Sequence, residues 1–102
     1  MRCADLELDA LGHVVRRSGT TISLTAREFE ILDYLLRNQG QVVTREMLAR
    51  DIWQEVARYT PLDNVIDVHI ARLRQKLDDN FSPKLLHTVR GLGFILREEA
   101  EG

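Results

Sequence analysis

Long apolar runs are missing from this sequence. The longest are a few residues each, such as Leu35-Leu36 and Phe94-Ile95-Leu96, far short of the roughly 18 residues a membrane helix requires. No signal peptide opens the chain, so a cytoplasmic location is expected and no membrane partner is. Cysteine is nearly absent too. Cys3 stands alone, which rules out an internal disulfide and a cysteine-built metal site and fits a reducing compartment. There is no internal repeat and no low-complexity stretch. A surplus of positive charge is also lacking: the formal net charge is -2 over 102 residues.

The composition that remains, 44% hydrophobic and 29% charged, is that of a soluble globular chain. Its length suits one domain spanning residues 1–102 with one modest core. The charge is polarised along it. From Asn64 to Arg97 the basic residues Arg72, Arg74, Lys76, Lys84, Arg90 and Arg97 outnumber the acidic Asp67, Asp78 and Asp79. The acidic excess lies in Asp5, Glu7, Asp9 and the tail from Glu98 to Glu101. Phosphates act within about a Debye length, so this distribution matters more to a nucleic-acid partner than the sum does.

Period-two alternation opens the chain, with Leu6 and Leu8 on one face and Asp5, Glu7 and Asp9 on the other. It predicts a half-buried strand. Turn residues at Leu11-Gly12 and Ser18-Gly19 separate two more strands, His13 to Arg17 and Thr21 to Leu24. The period then changes. Thr25 to Glu28 is a capping box, and Phe29, Leu32, Leu35 and Leu36 follow at helical spacing until Asn38-Gln39-Gly40 stops the helix. After the extended Val42-Val43 link, Thr44 caps a second helix running to about Trp53. Gln54 to Tyr59 is a loop. Thr60-Pro61-Leu62-Asp63 starts a third helix, with threonine as cap and proline in the first helical position. Ile66, Ile70, Leu73 and Leu77 form its buried stripe. Leu86 to Arg90 and Phe94 to Arg97 then make a hairpin around Gly91-Leu92-Gly93. The order is β-β-β-α-α-α-β-β.

Opposite Ile66 on the third helix, at 100° per residue, fall Asn64, Val68, Ala71, Arg72 and Gln75. A merely solvated face would be dense in lysine and glutamate. This mixture suits the major groove, where arginine reads guanine, amides read adenine and small apolar groups meet thymine methyls. Packing of Val68 and Ala71 on a neighbouring element fits the helix equally well, and the hairpin that follows tips the balance toward DNA. It carries Arg90 at the tip of a narrow ribbon with almost no core of its own, placed to enter a narrow minor groove.

Three segments carry a family resemblance: Leu24 to Leu32, Asn64 to Arg74 and His87 to Phe94. They resemble, in the same order, the first helix, recognition helix and wing of OmpR/PhoB-type response-regulator effector domains. The similarity runs from about Ala4 to Leu96. It implies an α+β winged helix-turn-helix: an N-terminal four-stranded antiparallel sheet, three helices and a C-terminal β-hairpin wing. The fourth strand falls between Leu11 and Thr21 or in the Val42-Val43 link. By resemblance, Asp67, Val68, Ala71 and Arg72 lie near bases, Arg74 and Thr88 near phosphates, and Arg90 in the minor groove. Asn64 and Ala71 stand where relatives often carry arginine. The resemblance further implies double-stranded DNA as partner, a receiver domain phosphorylated by a sensor kinase, and RNA polymerase meeting the loop after Trp53. Binding to tandem half-sites follows from the same similarity. A monomeric isolated domain follows from the lack of a heptad seam or a large apolar stripe.

Other residue types offer little. His13, His69 and His87 lack metal-site spacing, so no metal or cofactor is expected. Glu28 is committed to capping, Trp53 reads as core, and no set of residues assembles a nucleophile, base and oxyanion site. The alternative function is a winged helix that docks protein, supported by the acidic total charge.

Overall fold

Thr25 begins the first helix as the capping box requires. Its hydroxyl accepts from the Glu28 amide at 3.2 Å, and its own amide donates to Glu28 Oε1 at 2.9 Å. Two of the unpaired amides at the helix start are satisfied at once. The structure, a computed structural model, describes residues 1–54 and 62–98. Its elements in chain order are β1 (Arg2–Cys3), β2 (Leu6–Asp9), β3 (Val14–Arg17), β4 (Thr20–Thr21), α1 (Ala26–Arg37), α2 (Arg45–Asp51), α3 (Asp63–Asp78), β5 (Leu86–Val89) and β6 (Gly93–Leu96).

The N-terminal strands form one antiparallel sheet in the order β1-β2-β3-β4. The fourth strand is therefore neither between Leu11 and Thr21 nor in the Val42-Val43 link; it is Arg2–Cys3, paired with Glu7 and Leu6. Two residues are too few to show a period, and Ala4 turns the chain at a positive φ of 53°. The strand expected over Thr21 to Leu24 is confined to Thr20–Thr21. α2 ends at Asp51, two residues short of Trp53. α3 begins at Asp63 with Leu62 as its cap residue and no side-chain cap. The capping role expected for Thr60, the first-turn proline Pro61 and most of the Gln54–Tyr59 loop lie outside the described residues.

Val43 joins the wing instead of the N-terminal sheet. Its amide donates to the Phe94 carbonyl at 2.7 Å, and the Phe94 amide returns a bond of 2.9 Å. Gly93 makes this approach possible, because a Cβ there would overlap the Val43 carbonyl oxygen and Thr44 Cα. The α1–α2 link thus fixes the hairpin to the helices.

The core lies between the two sheets and the helices. Leu6, Ile31, Leu32, Leu35, Leu48, Ile66, Leu73, Leu77 and Leu96 are all fully buried. Each contributes roughly 1.5–3 kcal/mol by leaving water. All four residues of the α3 stripe are buried as its spacing predicts. Three charged residues among those described are buried with them, Arg17, Glu28 and Asp78. Arg17, inward-facing on β3, donates Nε to Asp5 at 2.9 Å and Nη1 to Asp78 Oδ1 and the Leu77 carbonyl, both at 2.8 Å. Its Nη2 meets the Pro83 carbonyl, and Asp78 in turn accepts the Leu85 and Leu86 amides at 3.1 and 3.0 Å. A buried arginine is tolerable when so many donors are matched. This cluster ties the N-terminal sheet to the end of α3 and the start of the wing. No helix among the described residues is long and apolar enough to cross a membrane.

Candidate nucleic-acid interface

Because the Ile66–Leu77 stripe faces the core, the opposite side of α3 must face out. Asn64, Asp67, Val68, Ala71, Arg72 and Gln75 are all exposed. Val68 is 46% exposed, so it does not pack on a neighbouring element as the competing reading requires. Arg72 has no hydrogen bond or ion pair among the described residues. Its guanidinium is free to engage a ligand.

The wing stands beside this face. Arg90 lies in the turn between β5 and β6, exposed and unpaired among the described residues. Gly91 takes a positive φ of 78° there, a backbone state that costs glycine little. Leu92, next in the turn, is 59% exposed. Arg74 and Thr88, both expected near phosphates, bond to each other: Arg74 Nη2 donates to Thr88 Oγ1 at 2.6 Å. Arg74 is half-buried, and its Nε is buried without a partner. The pair joins α3 to β5.

Asp67 is also engaged. Arg45, the first residue of α2, donates Nε to Asp67 Oδ1 at 2.8 Å, and its guanidinium lies 5.0 Å from the centroid of the Phe94 ring. Sequence reasoning missed Arg45, because the 22-residue separation from Asp67 leaves no periodic signal. A notch of about 210 Å³ opens at this junction, lined by Arg45, Asp67, Ala71, Arg74 and Thr88 among others.

Not every basic residue of the C-terminal third faces outward. Lys76 binds Glu28 Oε1 at 2.6 Å, and Lys84 donates to the Asp78 carbonyl. Burial alone would raise the Glu28 carboxyl, but the Lys76 ammonium and the Thr25 amide together hold it below its ordinary value. The histidines are dispersed. His13 stacks on Phe29 at 4.5 Å, His69 meets the Val65 carbonyl at 2.8 Å and the edge of Trp53, and His87 is half-buried in β5. Trp53 is partly buried against the core, with the Arg27 guanidinium 4.8 Å from its ring.

Helix face, adjoining ribbon and the order of elements are those of a winged helix-turn-helix. The family model described as "Transcriptional regulatory protein, C terminal" matches residues 19–96. The chain belongs to that family. Among its relatives, the transcriptional regulatory protein CusR of Escherichia coli K12 is 45% identical over 93 residues, which are 91% of this chain and 40% of that protein. The chain therefore spans about two-fifths of the curated relatives it matches. The response regulator DrrB of Thermotoga maritima, described as an OmpR/PhoB homologue, superposes with a TM-score of 0.77 at 36% identity, over 91% of this chain and 42% of that one. The DNA-binding domain of RstA from Klebsiella pneumoniae, solved in complex with the RstA box, gives a TM-score of 0.82 at 30% identity over 95% of each chain. Members of the transcriptional regulatory C-terminal family thus share this architecture over nearly the whole chain, and the OmpR/PhoB resemblance of its three motifs holds.

Proposed function

We propose that this domain binds double-stranded DNA sequence-specifically at promoter sites and regulates transcription as the output domain of a two-component response regulator. α3 enters the major groove, Arg72 reads a base, and Asn64, Val68, Ala71 and Gln75 face neighbouring base edges. Arg74 and Thr88 approach the backbone at the joint of helix and wing, and Arg90 enters the adjacent minor groove. The observation that carries this reading is the pairing of Arg72 on α3 with Arg90 on the wing, both exposed and both without a partner among the described residues. Two such guanidiniums on adjoining elements suit consecutive grooves of one duplex.

In the longer protein, a receiver domain phosphorylated by a sensor kinase controls this output in the cytoplasm. Tandem half-sites about one helical turn apart place neighbouring copies on the same side of the duplex, and RNA polymerase is met through the loop that follows Trp53. The domain itself is assigned no catalysis. Selection of bound sites from random duplexes tests the reading. The expected product is a recurrent site with directly repeated halves; an unenriched pool contradicts sequence-specific binding, and a palindrome contradicts the head-to-tail arrangement.

A further inference from the structure

We infer that Arg45 is a DNA-backbone anchor and that Asp67 is its positioning residue, so that the Asp67 carboxylate reads no base. This deepens the proposed DNA-binding function and rests on it. Three elements converge on Arg45: α2 supplies the residue, α3 supplies Asp67 at 2.8 Å from Nε, and β6 supplies the Phe94 ring at 5.0 Å. The guanidinium is thereby held on one edge and on one face. Its two terminal nitrogens have no hydrogen bond among the described residues. They form the fork that matches two oxygens of one phosphate.

The surroundings favour a phosphate over a base. Arg45 and Arg74 line the same notch between α3 and the wing with Asp67 as the carboxylate in its lining, while Asp63 and Glu46 lie outside that lining and act on Arg45 through their charge alone. Arg74 is held there by its Nη2 bond to Thr88, whose hydroxyl adds to the rim. A phosphodiester at the mouth of the notch meets two guanidiniums already in place, and little side-chain freedom is lost on binding. Asp67 poses the converse problem. A bare carboxylate 47% exposed on this face would repel the duplex. Pairing with Arg45 neutralises it and turns it into a brace. Arg45 occupies only Oδ1 of Asp67, so a cytosine amino group could be met only through Oδ2, and the base preference of Asp67→Ala separates a brace from a reader.

The two roles for Asp67 predict opposite behaviour in a paired substitution. The test uses the full chain, a duplex recovered by selection, and fluorescence anisotropy over a series of salt concentrations. Arg45→Gln is expected to weaken binding to all duplexes about tenfold and to lower the salt slope by about one unit, the value of one phosphate contact. Arg45→Lys keeps the slope. Asp67→Ala alone changes affinity by the same factor for every duplex and leaves the selected sequence unaltered. Added to Arg45→Gln, it restores part of the lost affinity, because the carboxylate is by then unpaired and repulsive. An unchanged salt slope in Arg45→Gln, with or without a lower melting temperature, overturns the anchor. Relaxed base preference in Asp67→Ala overturns the positioning role. Should the unsubstituted chain select no duplex, the proposed function fails first and this inference with it.

Discussion

Arg72 and Arg74 lie two positions apart on α3, and that spacing turns them toward different surroundings. Arg72 is exposed and has no partner among the described residues, whereas Arg74 is half-buried and bonded to Thr88 at 2.6 Å. Only the first can rotate to place both amino groups on a guanine edge. Arg72→Ala is expected to relax preference at one or two positions of the selected site, since a bidentate contact discriminates by roughly 1–3 kcal/mol. Uniformly weaker binding with intact preference would reduce Arg72 to a phosphate contact. Arg90 makes a different prediction, because nothing in the wing packs on it. Arg90→Ala should leave the melting temperature nearly unchanged, as exposed substitutions cost within about 0.5 kcal/mol. It should lower the salt slope by about one unit and blunt any A·T preference flanking the major-groove site. A variant that unfolds would show Arg90 to be structural, and one that binds normally would remove the wing from the groove.

At the scale of elements, the wing depends on a close backbone approach. Gly93→Ala would push a methyl into the Val43 carbonyl and Thr44 Cα, backbone atoms that cannot turn aside. Overpacking of this kind costs roughly 1–3 kcal/mol, and faster exchange of the Phe94 amide should report the lost bridge. α1 and α3 are held together by Glu28, whose carboxylate caps one helix and binds Lys76 of the other. Removing it breaks charge-assisted hydrogen bonds worth about 1.5–3 kcal/mol, so Glu28→Ala should lower chemical-denaturation stability by that order. Its folded carboxyl lies below the ordinary value of 4.5, so the unfolded chain takes up the proton first on acidification. The stabilisation is complete above about pH 4.5 and fades as pH falls through the depressed folded value. Denaturation midpoints between pH 6 and 3 should therefore converge for the parent and Glu28→Ala; a gap that persists at the acid end contradicts the assignment.

The elements readable from sequence are those whose signal is local. The capping box at Thr25, the stripe from Ile66 to Leu77 and the glycines of the wing each compress their information into a few residues. The strand Arg2–Cys3 has no such signal, because it is defined only by its pairing to Leu6 and Glu7. Val43 reads as extended in sequence, but its choice of Phe94 over the N-terminal sheet is tertiary. The same holds for the interface. The outward side of α3 and the wing tip follow from periodicity and turn chemistry, whereas Arg45 enters the site through a partner 22 residues away. Arg17 illustrates the limit most clearly: a charged residue in an exposed-looking run is fully buried, matched by Asp78 across 61 positions.

Taken as a whole, the molecule carries a net charge of -2 and yet presents Arg72 and Arg90, unpaired among the described residues, on α3 and the wing. Arg45, braced by Asp67, stands at the junction of the two, while Lys76 and Lys84 are spent on internal bonds to Glu28 and the Asp78 carbonyl. The central claim is that this surface binds DNA through phosphates and base edges together. It is tested most directly by measuring the affinity of the chain for its selected duplex and for a scrambled duplex across a range of salt concentrations. Both should weaken as salt rises, with log-log slopes set by the number of phosphate contacts, and the selected duplex should stay tighter by a factor of about a thousand or more. A flat salt response, or equal affinity for the two duplexes, would contradict the account and leave α3 as a surface for docking protein.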